Sequence, residues 1–139
     1  MTTQPSIDTR AFDLLATLVA IVRTDGVVLF ANAALEDIMG VSRRNIEGAE
    51  FSQYFAQPQA FENALKGAQT NAFAVMRYDA YLHRPLQEPL PVHVIVAPTD
   101  RSGEILIELL PLEQQTRQDR EERLIDQAQA NKELIRNLA

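Results

Sequence analysis

The sequence predicts an α+β domain, an antiparallel sheet with short helices on one face, followed by a long C-terminal helix. Two observations carry that prediction. The apolar spacing reads as two strands, then a group of short helices and one longer helix, then three more strands. Helices grouped between runs of strands favour an antiparallel sheet with the helices packed on one side. The second observation is the end of the chain. Residues 112–139 read L-E-Q-Q-T-R-Q-D-R-E-E-R-L-I-D-Q-A-Q-A-N-K-E-L-I-R-N-L-A, without Gly, Pro or any aromatic. A polar helix of about 40 Å is not stable alone on a small domain and calls for a partner helix. The expected organisation is therefore a head over residues 1–111 and a signalling and dimerisation helix over residues 112–139.

Taken in order, Asp8 is positioned to cap a short helix carrying Phe12, Leu15 and Leu18. Residues 19–23 (V-A-I-V-R) and 27–30 (V-V-L-F) flank T-D-G, which predicts a β-hairpin. Asn32 is the expected cap of a helix through Leu35, Ile38 and Met39 that Gly40 ends. Ser42 caps a further turn through Ile46, and residues 51–55 form another. Pro58 opens the longer helix, with Phe61, Ala64, Leu65 and Ala68 on one face. Residues 71–80 alternate as a strand, and a loop holding Pro85, Pro89 and Pro91 follows. Residues 92–97 and 105–110 are the last strands, joined by a D-R-S-G turn.

Composition narrows the function. The chain has 139 residues, no cysteine and a net charge of −6. Thiolate catalysis, disulfides, thiolate metal sites and cysteine-based flavin photochemistry are excluded. Of the 19 acids, 13 lie in the head against eight bases there, so nucleic acid or an anionic membrane is not the expected partner. No apolar run reaches the roughly 20 residues of a membrane span, and the start lacks a signal-peptide pattern, so the expected location is cytoplasmic. No phosphate-cradling motif occurs.

The two histidines are not expected to be ligands. A haem site needs an axial protein ligand, and residues 58–69, the longer helix, contain no His. His83 reads as a loop residue and His93 as a satisfied or surface residue of a strand. Asp13, Asp37 and Glu62 fit exposed helix faces, which leaves no buried acid for an enzyme. The six phenylalanines read as core. In the last strand Ile105, Ile107 and Leu109 are expected on the core side, with Leu106, Glu108 and Leu110 outward. Leu106 and Leu110 then form an apolar contact patch for a helix or a second subunit.

In the C-terminal helix, Leu124, Ala128, Asn131, Ile135 and Leu138 recur at a 4-3-4-3 spacing, one seam of a coiled coil. Asn131 in that seam would set register. Upstream the seam falls on Glu121, Arg117 and Gln114, a weak core.

The order of elements, with F-A-N-A-A at residues 30–34 leaving the second strand for a helix, resembles a PAS domain, a five-stranded sensor module whose helices enclose a small cavity. The segment D-Q-A-Q-A-N-K-E-L-I-R-N-L-A at residues 126–139 resembles the approach to the phosphoacceptor box of sensor histidine kinases of the nitrogen-regulation (NtrB) type. The stretch L-L-A-T-L-V-A-I-V-R-T-D-G-V-V-L-F-A-N-A-A-L-E-D-I-M-G resembles that family's N-terminal sensor domain. The resemblance implies a homodimer and a histidine directly after Ala139. It also implies an ATP- and Mg-dependent kinase domain elsewhere in the parent chain, and a response regulator and a PII-type signal protein as partners. For these 139 residues it implies no catalytic residue and no bound cofactor. A self-contained small-molecule-binding PAS module is the competing expectation.

Overall fold

The computed structural model describes residues 9–70 and 75–112. Five strands, β1 (Leu18–Arg23), β2 (Val28–Ala31), β3 (Met76–Arg84), β4 (Gln87–Pro98) and β5 (Glu104–Pro111), form one antiparallel sheet in the order β2-β1-β5-β4-β3, with three helices and a 3-10 turn on its inner face. The α+β expectation holds, and the last of the described strands is the central one.

The hairpin of β1 (Leu18–Arg23) and β2 (Val28–Ala31) forms where T-D-G separates the two apolar runs. Gly26 adopts φ +88°, and the Arg23 amide donates to the Val27 carbonyl at 2.8 Å. Asp25 accepts from the Val27 amide at 3.2 Å and pairs with Arg23 at 2.6 Å. Register slips between Ile21 and Val22, so β2 carries one extra residue. That bulge turns two successive side chains, Leu29 and Phe30, to the outer face while Val28 and Ala31 stay in the core.

Asn32 caps α1 (Ala33–Met39) by accepting from the Leu35 amide at 3.0 Å, and Gly40 closes it in the left-handed region. A single turn, α2 (Arg43–Ile46), follows, entered at Ser42 without a side-chain cap bond. Next come a 3-10 turn (Phe51–Tyr54) and α3 (Pro58–Thr70), which buries Phe61, Ala64, Leu65 and Ala68 as its spacing predicts.

The N-terminal helix is a correction. Only a 3-10 turn (Arg10–Leu14) forms, Leu14 and Leu15 stay exposed, and Leu18 already belongs to β1. Burial of Leu18, Ala20 and Val22 on one strand face outweighs the helical spacing of Phe12, Leu15 and Leu18. Asp8 lies outside the described residues.

The proline-rich loop is the larger correction. β3 (Met76–Arg84) runs further than expected, and β4 (Gln87–Pro98) begins after a tight turn at Pro85 and Leu86. His83 is therefore an exposed strand residue, not a loop residue. Pro89 and Pro91 are tolerated because of the direction their nitrogens face. The Pro91 carbonyl accepts from the Leu112 amide, so its backbone polar groups point away from β3, and Pro89 shares that parity. β5 (Glu104–Pro111) then alternates as expected, with Ile105, Ile107 and Leu109 buried.

Candidate functional site

The inner face of the sheet and the helices enclose an apolar interior with an aromatic centre. The short segment of Phe51–Tyr54 and the first turns of α3 bring Phe51, Phe55 and Phe61 together, all buried. Phe55 and Phe61 stack with ring centres 4.9 Å apart, and Phe51 meets both edge-on at 5.4 and 5.6 Å. A bridge between Phe55 and Leu82 joins this cluster to β3.

One polar atom breaks that interior. Tyr78 stands on the core side of β3, two residues from Ala80 and four from Leu82, and packs against the core. Among the described residues its hydroxyl is the buried side-chain polar atom without a hydrogen-bond partner. Burial raises its pKa, so the phenol stays neutral at physiological pH. A buried hydroxyl without a partner is a feature that a small hydrogen-bonding molecule would satisfy. Sequence alternation placed Tyr78 opposite Val75 and Arg77 in face but gave no sign that its hydroxyl would be left unpaired.

Asn32 is the opposite case. It is fully buried, and its side chain is saturated. Oδ1 accepts from the Val19 and Leu35 amides, both at 3.0 Å, and Nδ2 donates to the Phe12 carbonyl at 3.0 Å and the Thr17 carbonyl at 2.8 Å. One side chain thus joins β1, α1 and the N-terminal turn. Asp13 reinforces the junction by accepting from the Ala33 amide at 3.0 Å and pairing with Arg43 at 2.7 Å. Asp13 is therefore a half-buried ion-pair residue rather than the exposed helix acid expected from the sequence.

The outer face of the sheet divides in two. On the β2-β1-β5 side, Ile21, Leu29 and Phe30 form a small cluster against which Phe12 and Leu106 pack. Phe12 and Phe30 have ring centres 6.2 Å apart, and the Arg43 guanidinium sits 5.5 Å from the Phe30 ring centre. Leu106 thus lies on the outer face, as expected, where the chain's own N-terminal turn shares its cover. Leu110 also faces outward, half-buried, opposite His93. On the β4-β3 side the outer surface mixes polar residues such as Asp79 and His93 with the exposed ring of Tyr81. His93 Nδ1 lies 2.8 Å from Asp79 Oδ1, directly across the strand pair, so His93 is a satisfied surface residue.

The expected helix seam of Leu124, Ala128, Asn131, Ile135 and Leu138 lies outside the described residues, as does Phe73. Among the described residues no group of three or more His, Asp or Glu is arranged to hold a metal ion. None of their helices is long and apolar enough to cross a membrane.

A sheet of this order, with short helices over an aromatic interior, defines a sensory module. The PAS domain family model matches residues 16–110, and the chain belongs to that family. No curated protein shows a significant match to the sequence. Among solved structures, the photoactive yellow protein domain from the sensor histidine kinase Ppr of Rhodospirillum centenum is similar, with 20% identity and a TM-score of 0.64, over 75% of this chain and 99% of that one. The PAS domain of nitrogen regulation protein NR(II) from Vibrio parahaemolyticus is similar at 17% identity and a TM-score of 0.60, over 77% of this chain and 99% of that one. The PAS domain of a LuxR-family transcriptional regulator from Burkholderia thailandensis, solved with ethanol, is similar at 22% identity and a TM-score of 0.62, over 77% of this chain and 99% of that one. At these identities the likeness is one of fold.

Proposed function

We propose that this chain is the sensory and dimerisation module of a nitrogen-regulation histidine kinase, passing a signal from the PAS head to a kinase domain through the segment after Leu112. The observation that carries the reading is D-Q-A-Q-A-N-K-E-L-I-R-N-L-A at residues 126–139, with its resemblance to the approach of a phosphoacceptor box. The likeness in fold to the NR(II) PAS domain supports it. In this reading the parent kinase uses ATP and Mg and acts on a response regulator under control of a PII-type protein in the cytoplasm. The homodimer is held by Leu124, Ala128, Asn131, Ile135 and Leu138 and by outer-sheet contacts at Leu106 and Leu110.

A longer chain that includes the residues coded after Ala139 tests the assignment. Incorporation of labelled phosphate on a histidine directly after Ala139 supports it, and the absence of a histidine there ends it. Sedimentation equilibrium at tens of micromolar tests the dimer, with Ile135→Asp and Leu138→Asp expected to weaken it while the head stays folded.

One observation favours a second reading, a stand-alone small-molecule-binding PAS module. The unpartnered Tyr78 hydroxyl suits a small neutral molecule with a single hydrogen-bonding group, and the Burkholderia thailandensis relative was solved with ethanol. Titration with ethanol followed by NMR should move Tyr78 and its core neighbours, and Tyr78→Phe should abolish the response. Shifts confined to surface residues would rule this reading out.

A further inference from the structure

We propose that the Asp25–Gly26 bond is the chain's site of spontaneous aspartate isomerisation, and that Arg23 is the residue that holds the reaction back while the domain is folded. The site lies in the turn of the first hairpin and does not depend on which signal the domain reads.

Asp25–Gly26 is the single Asp-Gly in the sequence, and Asn-Gly does not occur. Glycine carries no side chain, so it leaves its own amide nitrogen unshielded. In the reaction that nitrogen attacks Cγ of Asp25. The Gly26 N–H proton and the carboxyl hydroxyl leave as water, and a five-membered imide closes. Water then reopens the ring. Where it breaks the bond to the backbone carbonyl of Asp25, the chain continues through the side chain as isoaspartate. The mass of the chain is unchanged, and no oxidant or cofactor takes part.

In the folded hairpin every participant is occupied. Arg23 grips both oxygens of the Asp25 carboxylate, Nε donating to Oδ1 at 3.1 Å and Nη2 to Oδ2 at 2.6 Å. Oδ1 also accepts from the Val27 amide at 3.2 Å, and the Gly26 amide donates to the Arg23 carbonyl at 2.9 Å. The Arg23 fork holds the Asp25 carboxyl below its usual range, so it stays ionised, and an ionised carboxylate is a poor substrate for loss of water. The two side chains are 40% and 56% exposed, so water reaches the turn. What Arg23 guards is a tertiary junction. The Gly26 carbonyl accepts from the Phe51 amide at 2.9 Å, and the Thr24 carbonyl accepts from Gln69 Nε2 at 2.6 Å. A backbone longer by one methylene between residues 25 and 26 does not keep both bonds. Phe51 is the ring that meets Phe55 and Phe61 edge-on, so the damage reaches the aromatic cluster.

Storage of the 139-residue chain at physiological temperature and neutral pH tests this, with isoaspartate located by its specific enzymatic methylation and peptide mapping. It should appear at residue 25, about tenfold or more slowly in the folded chain than in the same chain in urea, because reaction requires local opening. Arg23→Gln should raise the folded-state rate about threefold, the scale of one exposed ion pair, and leave the rate in urea unchanged. Its urea midpoint should stay near the parent's, since the fork is exposed. Asp25→Glu, whose side chain would have to close a six-membered ring, should form no such product. An Arg23→Gln rate equal to the parent's, or raised equally in urea, overturns the guard. So does a loss of stability large enough to account for the faster rate. Should Arg23→Gln fail to fold, Arg23→Lys keeps the charge without the two-pronged grip and should still react faster than the parent. A rate no faster overturns the guard. Isoaspartate arising first at another residue overturns the site. In the isomerised chain, NMR should show the Phe51 amide and Gln69 side-chain signals displaced, and unmoved signals overturn the link to the aromatic cluster.

Discussion

Asn32 and Tyr78 both carry polar atoms into the interior of the same small domain, and the fold treats them in opposite ways. At the junction of β2 and α1, every donor and acceptor of the Asn32 side chain is used, on four separate backbone groups. On β3 the Tyr78 hydroxyl meets no partner. The Asn32 junction is where the domain gains order, since one side chain fixes where the N-terminal turn, β1 and α1 meet. Tyr78 is where the domain gives up stability, because a desolvated hydroxyl without a partner is a net cost. A polar group kept at a cost in an otherwise apolar interior is the kind of feature that function, rather than folding, maintains.

The sharpest way to break this contrast is to remove each group. Asn32→Ala should lower stability by about 3–4 kcal/mol, through loss of the cap and the stranding of buried backbone groups. Urea unfolding measures it, and a loss below that of an ordinary exposed cap would show that water replaces the side chain. Tyr78→Phe should act with the other sign, raising stability by about 1 kcal/mol as the unpaired hydroxyl disappears. A destabilised Tyr78→Phe would mean that the hydroxyl is bonded in solution and would remove the contrast altogether.

A third substitution asks whether other costs sit outside the interior. Leu86, at the tip of the β3–β4 hairpin, is fully exposed and holds φ +57°. Leu86→Asn relaxes a left-handed leucine and should raise the thermal midpoint, with a gain of about 0.5 kcal/mol. No gain would show that the Arg84 guanidinium, bonded to the Glu88 carbonyl at 2.9 Å, already holds the turn without strain.

The smallest effect is a pH dependence. Glu47 is half-buried beside the Arg43–Asp13 pair, and burial raises its carboxyl pKa despite the nearby Arg43. The folded chain then holds this proton more tightly than the unfolded chain does. The resulting stability is present below the ordinary carboxylate value and is lost as pH rises through the folded value. Glu47→Gln should therefore flatten the stability profile between the ordinary and the folded value and leave stability at low pH nearly unchanged. An unaltered profile would show that Arg43 offsets the burial in full.

Much of the fold was legible in the sequence because local chemistry dictated it. T-D-G could only turn the first hairpin, Asn32 and Gly40 bounded α1, and the face of α3 read correctly because a helix's burial follows its period. The alternation of β5 placed Leu106 and Leu110 outward for the same reason. Tertiary structure decided what no local pattern holds. Prolines 89 and 91 signalled a loop, but their nitrogens face away from β3, so the missing N–H costs no β3–β4 bond, and that depends on register. Phe12, Leu15 and Leu18 had helical spacing, but the core claimed Leu18 for the sheet. Neither the saturation of Asn32 nor the isolation of the Tyr78 hydroxyl has a sequence signature, because a hydrogen bond depends on what lies across space, 13 to 20 residues away in the case of Asn32's partners Val19, Thr17 and Phe12.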